Sequence, residues 1–318
     1  MAQNKHPFRG YLYIAIAAFL WGIAATLGRA AFTGRLLPGM AALKAIDPLI
    51  LSQTRTTFSF LVLLPVLALS RGWSSLRLPK RDVGQLFLLG VLGVAASNYF
   101  YYLAIQRTNV ATAIIVQYTA PVWVLLYMVA RRVQRATPQR IAGVALALTG
   151  IVLVIGVAGP GGLRLEKTGV LAALIAAFSF AFYNIGGHSM LARYDRWLVL
   201  LYTTMSAGLF WLIVNPPWRV LAAHYSFGAW LFLLVFALIS VMAPFSFYFA
   251  GLQHLEPTRA IVTSCLEPVF SILLAAVVLG ELMRPIQVLG IVFVLVATVV
   301  VQIPERDSEP VVLVEPIE

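Results

Sequence analysis

Long apolar runs alternate with short polar breaks along almost the whole chain. Ten runs cover about residues 11–33, 49–70, 82–104, 110–130, 138–158, 168–191, 197–214, 228–252, 258–280 and 285–303. Gly, Pro and charged residues punctuate them, as residues that interrupt regular structure do. Each run is near the roughly 20 residues that carry a helix across about 30 Å of hydrocarbon. A membrane β-barrel would instead show alternating segments of about ten residues, and the sequence has no such pattern. The pattern predicts an all-α integral membrane protein with ten transmembrane helices.

Composition narrows the partners. Of 318 residues, 61% are hydrophobic and 11% charged, with a mean hydropathy of +0.89. A soluble domain carries about 25% charged residues, so a water-facing surface is missing and the lipid bilayer is the expected surrounding. The net charge of +11 does not indicate nucleic acid, because the basic residues are scattered through short loops between apolar runs. The single cysteine, Cys265, forms no intrachain disulfide and reads as a small apolar residue. The first run, YLYIAIAAFLWGIAATLG from Tyr11 to Gly28, follows Lys5 and Arg9. It is longer than a usual signal-peptide core and many spans follow, so it reads as a retained first span.

Lysine and arginine set the expected orientation. With residues 1–10 in the cytoplasm, fourteen of the 23 Lys and Arg residues fall on the cytoplasmic side. Among them are Arg71, Arg77, Lys80 and Arg81, and then Arg131, Arg132, Arg135 and Arg140. The other nine lie outside or near the outer face. Ten spans then return the C-terminus to the cytoplasm, in the plasma (inner) membrane. The acidic segment 304–318, PERDSEPVVLVEPIE, reads as a solvated cytoplasmic tail.

A shift of 147 residues lays FYYLAIQRTNVATAIIVQYTAPVWVLL (100–126) over FYFAGLQHLEPTRAIVTSCLEPVFSIL (247–273) without a gap. Phe100, Gln106, Ile114 and Pro121 fall on Phe247, Gln253, Ile261 and Pro268, and the register continues through Pro138/Pro285 and Gly143/Gly290. Shared apolar residues could arise by chance. Two glutamines and four prolines in one register do not easily do so. The expected units are therefore residues 11–158 and 168–303, each of five helices. An odd number of spans per copy forces the copies to cross the membrane in opposite directions, the inverted-repeat plan of many secondary transporters. Pro121 and Pro268 interrupt equivalent helices, and a helical proline leaves the carbonyl four residues back without its donor. Those carbonyls belong to Gln117 and Ser264.

The ten spans, the repeat, the Phe-Leu-Trp-Gly of residues 19–22, and Glu267–Pro268 followed by Gly280–Glu281 and Gly290 resemble the drug/metabolite transporter superfamily, in its EamA-type ten-span branch. The resemblance covers about residues 10–303. It implies export or exchange of small metabolites, often amino acids. Two features depart from it: Gln134 stands where the second half has Glu281, and Gly34–Pro48 makes a long first connection.

Polar residues inside spans are costly and are usually functional or paired. Glu267 leads the candidates for substrate binding. Thr263, Glu267 and Ser271 are spaced i, i+4 and i+8, with Ser264 three before Glu267, so they share a helix face. Either Glu267 exchanges a proton and faces the substrate, or it braces the Pro268 kink. Asn98, Tyr101 and Tyr102 form a face on span 3, Tyr183 and Asn184 sit on span 6 with His188, Gln117 is the register mate of Ser264, and Trp21 is mid-span. Each alone reads as helix packing; jointly they describe a cavity for a small amphipathic solute. Arg55 either snorkels outward or holds an anionic substrate group. His6, His188, His224 and His254 are isolated, and no carboxylate cluster or phosphate loop is present. An enzyme, a metal site and a cofactor are therefore not expected. The expected function is a secondary transporter using alternating access, with proton coupling open. A channel or a lipid flippase or scramblase is the alternative, and a homo-oligomer is left open.

Overall fold

The computed structural model describes residues 6–33, 45–108, 110–155, 166–279 and 284–303. Glu281, most of the long first connection and the acidic tail lie outside the described residues. Among the described residues, nine helices are long and apolar enough to cross a membrane. They are α1 (Pro7–Ala25), α2 (Leu49–Arg71), α3 (Lys80–Arg107), α4 (Thr112–Ala130), α5 (Pro138–Ile155), α6 (Lys167–Leu191), α7 (Arg196–Val214), α8 (Phe227–Leu252) and α9 (Pro257–Leu274). A shorter apolar helix, α10 (Pro285–Val300), supplies the tenth span. The fold is an all-α membrane protein built as two inverted five-helix repeats.

Local chemistry fixes where the helices begin. Asp47 accepts from the backbone N–H groups of Leu49 and Ile50 at 2.8 and 3.2 Å. Glu166 accepts from Gly169 N at 2.8 Å, and Asp195 from Trp197 N at 3.1 Å. Each satisfies amides that have no partner inside the first turn. Outside the bundle, apolar side chains face away from the core: Leu69 is 89% exposed and Val277 84%. That surface is suited to lipid tails and not to water.

The packing obeys an exchange of the two halves. α1 packs on α8 as α6 packs on α3, and α1 on α9 as α6 on α4. α2 meets α8 as α7 meets α3, while α2–α7 and α5–α10 are pairs of equivalents. The irregular turns follow the same exchange. α3 widens to π-helix at Leu89–Ala95 and α8 at Leu238–Met242. α4 breaks after Gln117 and α9 after Ser264. The α5–α10 crossing is close. A Cβ on Gly150 would lie 2.8 Å from Gly290 O, and a Cβ on Gly290 would lie 2.7 Å from Gly150 O. Only hydrogen at both positions lets these backbones touch, as small residues do between membrane helices.

Ion pairs gather at one end. Arg71–Asp195 (2.7 Å), Arg193–Asp82 (2.7 Å) and Arg140–Glu256 (2.9 Å) each join the first half to the second. All six residues sit at the end where α1 begins, here termed the N-terminal side. Tyr194 also donates a short hydrogen bond to Asp82, and Thr258 donates to Gln134 at 2.7 Å. At the opposite, far side, Gln53 Nε2 donates to the Asn215 backbone carbonyl and Asn215 Nδ2 donates to Gln53 Oε1, and Tyr225 Oη accepts from Asp47 N.

Candidate substrate site

A cavity of about 750 Å³ lies between the halves. It is within the range of small-molecule sites. Its walls run from mid-span residues such as Trp21, Pro121 and Glu267 to far-side residues such as Ile105, Ile155 and Gln287. None comes from the ion-paired N-terminal side. The closed end and the hollow end are therefore opposite ends of one bundle.

The two helix breaks build its middle. α9 stops at Ser264 and restarts at Leu266, two residues before Pro268. α4 stops at Gln117 and restarts at Ala120, one residue before Pro121. Cys265 N donates three residues back to Val262 O, at 3.1 Å, and Thr119 N three residues back to Val116 O, at 3.1 Å. Proline cannot donate to continue the ladder, so tight turns replace one helical turn at each site. Half-buried Glu267 opens the second segment of α9. Tyr118, which lies inside the α4 break, sits beside the Glu267 carboxylate.

Of the residues singled out from the sequence, Trp21, Asn98, Tyr101, Tyr102, Gln117, Tyr183, Ser264, Glu267 and Ser271 line the cavity, together with Pro121 and Pro268. Several are also held by the scaffold. Asn98 Nδ2 donates to Val94 O at 2.8 Å, within the widened turn of α3. Gln117 Nε2 donates to Ser97 Oγ at 3.4 Å, and Ser264 Oγ to Ile261 O at 2.8 Å. Trp21 packs edge-on against Phe245, with ring centroids 5.0 Å apart.

Thr263 and Asn184 are not on the cavity wall. Thr263 Oγ1 donates to Arg259 O at 2.7 Å, and the break at Cys265 separates it from the face that carries Glu267. Asn184 is fully buried and its Nδ2 donates to the Tyr248 hydroxyl in a short bond. His188 Nδ1 pairs with Leu252 O at 3.0 Å. Sequence reasoning did not select Tyr118 or Ser240, although both line the cavity. The repeat register held one signal for Tyr118: it is the mate of Cys265, at the centre of the second break.

The charge on the walls is sparse. Arg55 and Glu267 are the charged side chains among the lining residues. Arg55 is near enough for its charge to act on Glu267, but no ion pair joins them among the described residues. The rest is aromatic, amide, hydroxyl and aliphatic. Such a site can hold a small solute with polar and apolar parts, and Glu267 can accept and release a proton beside it.

A profile of the EamA-like transporter family matches residues 8–156 and again residues 167–303. The chain belongs to the EamA-like transporter family. It is a multi-pass membrane transporter. Over 300 residues it is 23% identical to the uncharacterized inner membrane transporter YicL of Salmonella typhimurium, covering 94% of this chain and 96% of that protein. It is 27% identical over 292 residues to the threonine/homoserine exporter RhtA of Escherichia coli K12, covering 90% of this chain and 88% of that one. A solved structure titled "Crystal structure of protein" shares the fold, with a TM-score of 0.72 at 21% identity over 93% of this chain and 97% of that one.

Proposed function

We propose that this transporter is an exporter or exchanger of small metabolites, with amino acids or similar amphipathic solutes as the substrate class, working by alternating access. The observation that carries the proposal is the cavity centred on two helix breaks at equivalent positions, hollow toward the far side and closed by cross-repeat ion pairs at the N-terminal side. That asymmetry suits a carrier held in one of its two states. A channel would need a path through both ends at once. The name of the exporter RhtA supports the amino-acid class. Residues 11–158 and 168–303 are the two moving units in this reading. The positive-inside pattern supports cytoplasmic termini, which makes the far side the exterior, and the relative YicL supports the inner membrane.

Within that cycle Glu267 is the proton-exchanging group. A bare carboxylate away from water costs several kcal/mol, so trading its proton for substrate charge lowers the cost of each step. The experiment is counterflow by purified protein in liposomes across a panel of metabolites. A saturable uptake that speeds up when the same solute is loaded on the other side is expected. Linear, non-exchanging flux would favour a channel, lipid movement without solute flux a scramblase, and no flux of any solute would remove the proposal.

A further inference from the structure

We infer that Arg55 is the specificity-determining residue of the cavity and that it selects solutes bearing a carboxylate, the solute's ammonium group lying toward Glu267. The inference rests on the transporter reading above and names the substrate class more narrowly.

Arg55 lies in α2, eight residues beyond the Asp47 cap. At about 1.5 Å per residue, that sets it about 12 Å along the helix from the cap. It does not turn to lipid: it is half-buried and lines the cavity. Its Nε is buried without a hydrogen-bond partner, and among the described residues no acceptor sits on its guanidinium. A buried guanidinium N–H with no acceptor is a costly arrangement. Three other arginines contrast with it: Arg71, Arg140 and Arg193 each meet a carboxylate within 2.9 Å. Glu267, the one carboxylate on the same walls, sits beside Tyr118 and meets no basic side chain within ion-pair distance among the described residues.

The cavity therefore keeps a cation and an anion apart, each with capacity unused. A planar guanidinium matches a carboxylate through two parallel N–H···O bonds. A zwitterion placed between the two puts its carboxylate on Arg55 and its ammonium on Glu267, and neutralises both poles of the site. A purely cationic amine would leave Arg55 unpaired, and a dicarboxylate would face Glu267. The ring of Tyr101, tilted against that of Tyr102 with centroids 5.6 Å apart, and Phe236 offer apolar surface for the remainder of the solute.

The test is counterflow of radiolabelled L-threonine, L-leucine and L-phenylalanine in liposomes holding the full-length protein. Each is competed by its unlabelled acid, its carboxamide and its decarboxylated amine. At least one acid is expected to exchange, with its amide and amine competing about tenfold or more weakly. In Arg55→Gln the KM for the acid rises about tenfold or more and the preference over the amide disappears, while Arg55→Lys keeps part of it. Equal competition by acid and amide overturns the inference. So does unchanged exchange in Arg55→Gln, and so does a protein that exchanges none of the three acids. The broader metabolite panel keeps these outcomes separate: flux of an amine or neutral solute there sinks the carboxylate assignment and leaves the carrier standing. If Arg55→Gln does not fold, the acid-to-amide ratio in the parent and in Arg55→Lys decides.

Discussion

The hydroxyl of Tyr118 sits beside the carboxylate of Glu267, so the break in one half of the chain faces the acidic group of the other. Tyr118 and Glu267 are 149 residues apart. The contact ties the state of the carboxylate to the relative position of the two repeats, the coordinate that alternating access must change.

Glu267→Gln keeps shape and hydrogen bonding but cannot exchange a proton. The variant is expected to fold and insert, to retain downhill exchange, and to lose proton-driven accumulation. Uptake in liposomes with and without an imposed pH gradient measures both. Accumulation equal to the parent's would leave Glu267 as a brace for the Pro268 break and nothing more. Tyr118→Phe removes the hydroxyl beside that carboxylate and is expected to slow exchange several-fold without abolishing it.

Arg140→Ala cuts one cross-repeat pair at the N-terminal side. Arg140 is 7% exposed at its side chain and Glu256 42%, so the pair is only partly shielded and its loss is expected to cost about 1 kcal/mol. The bias between states should move toward opening of that side. Thr258→Cys, at a fully buried site between the halves, reports this through its rate of maleimide labelling. Labelling should be faster with Arg140→Ala than without it. An unchanged rate would mean the pair does not latch this end.

Gly290→Val places methyl groups where Gly150 O and Val154 N already lie, at 2.7 and 2.6 Å from the first added carbon. Backbone cannot step aside as a flexible side chain can. The α5–α10 crossing should separate, at a cost of about 1–3 kcal/mol or more. The thermal midpoint in detergent should fall clearly below that of the parent, whereas Gly84→Ala, in a helix with open space around it, should not lower it.

Glu166 lies outside the spans as the cap of α6. The Thr168 hydroxyl and the Gly169 amide hold its carboxyl below the usual range. A carboxyl depressed on folding contributes stability above its unfolded value, near 4.3, and that contribution is lost as pH falls through the lower folded value. Glu166→Gln should therefore narrow its stability difference from the parent as pH drops below about 4.3. Thermal midpoints of both proteins measured from pH 7 to pH 3 check this. A difference that stays constant across that range would show that the cap acts without its charge.

Hydropathy, charge placement and the 147-residue register can be read along the chain without knowing which helices touch, and they alone determined the ten spans, the inverted repeat and the two proline breaks. A span must match the bilayer's thickness, and a proline must interrupt a helix wherever the helix packs, so neither needed tertiary information. Which polar side chains meet in the cavity was another matter. The helical stripe through Thr263, Glu267 and Ser271 assumed one unbroken helix, and the turn at Cys265 left Thr263 bonded to its own backbone. Asn184 found Tyr248 instead of the cavity, and Glu267 found Tyr118 across the repeat boundary. Arg55 was ambiguous in sequence, because a periodicity assigns a residue to a face without saying whether that face meets lipid or a hollow. Only the packing of α2 against helices of the opposite half turned that face inward, since the cavity is a gap between elements that lie far apart in the chain and exists only once both halves are assembled.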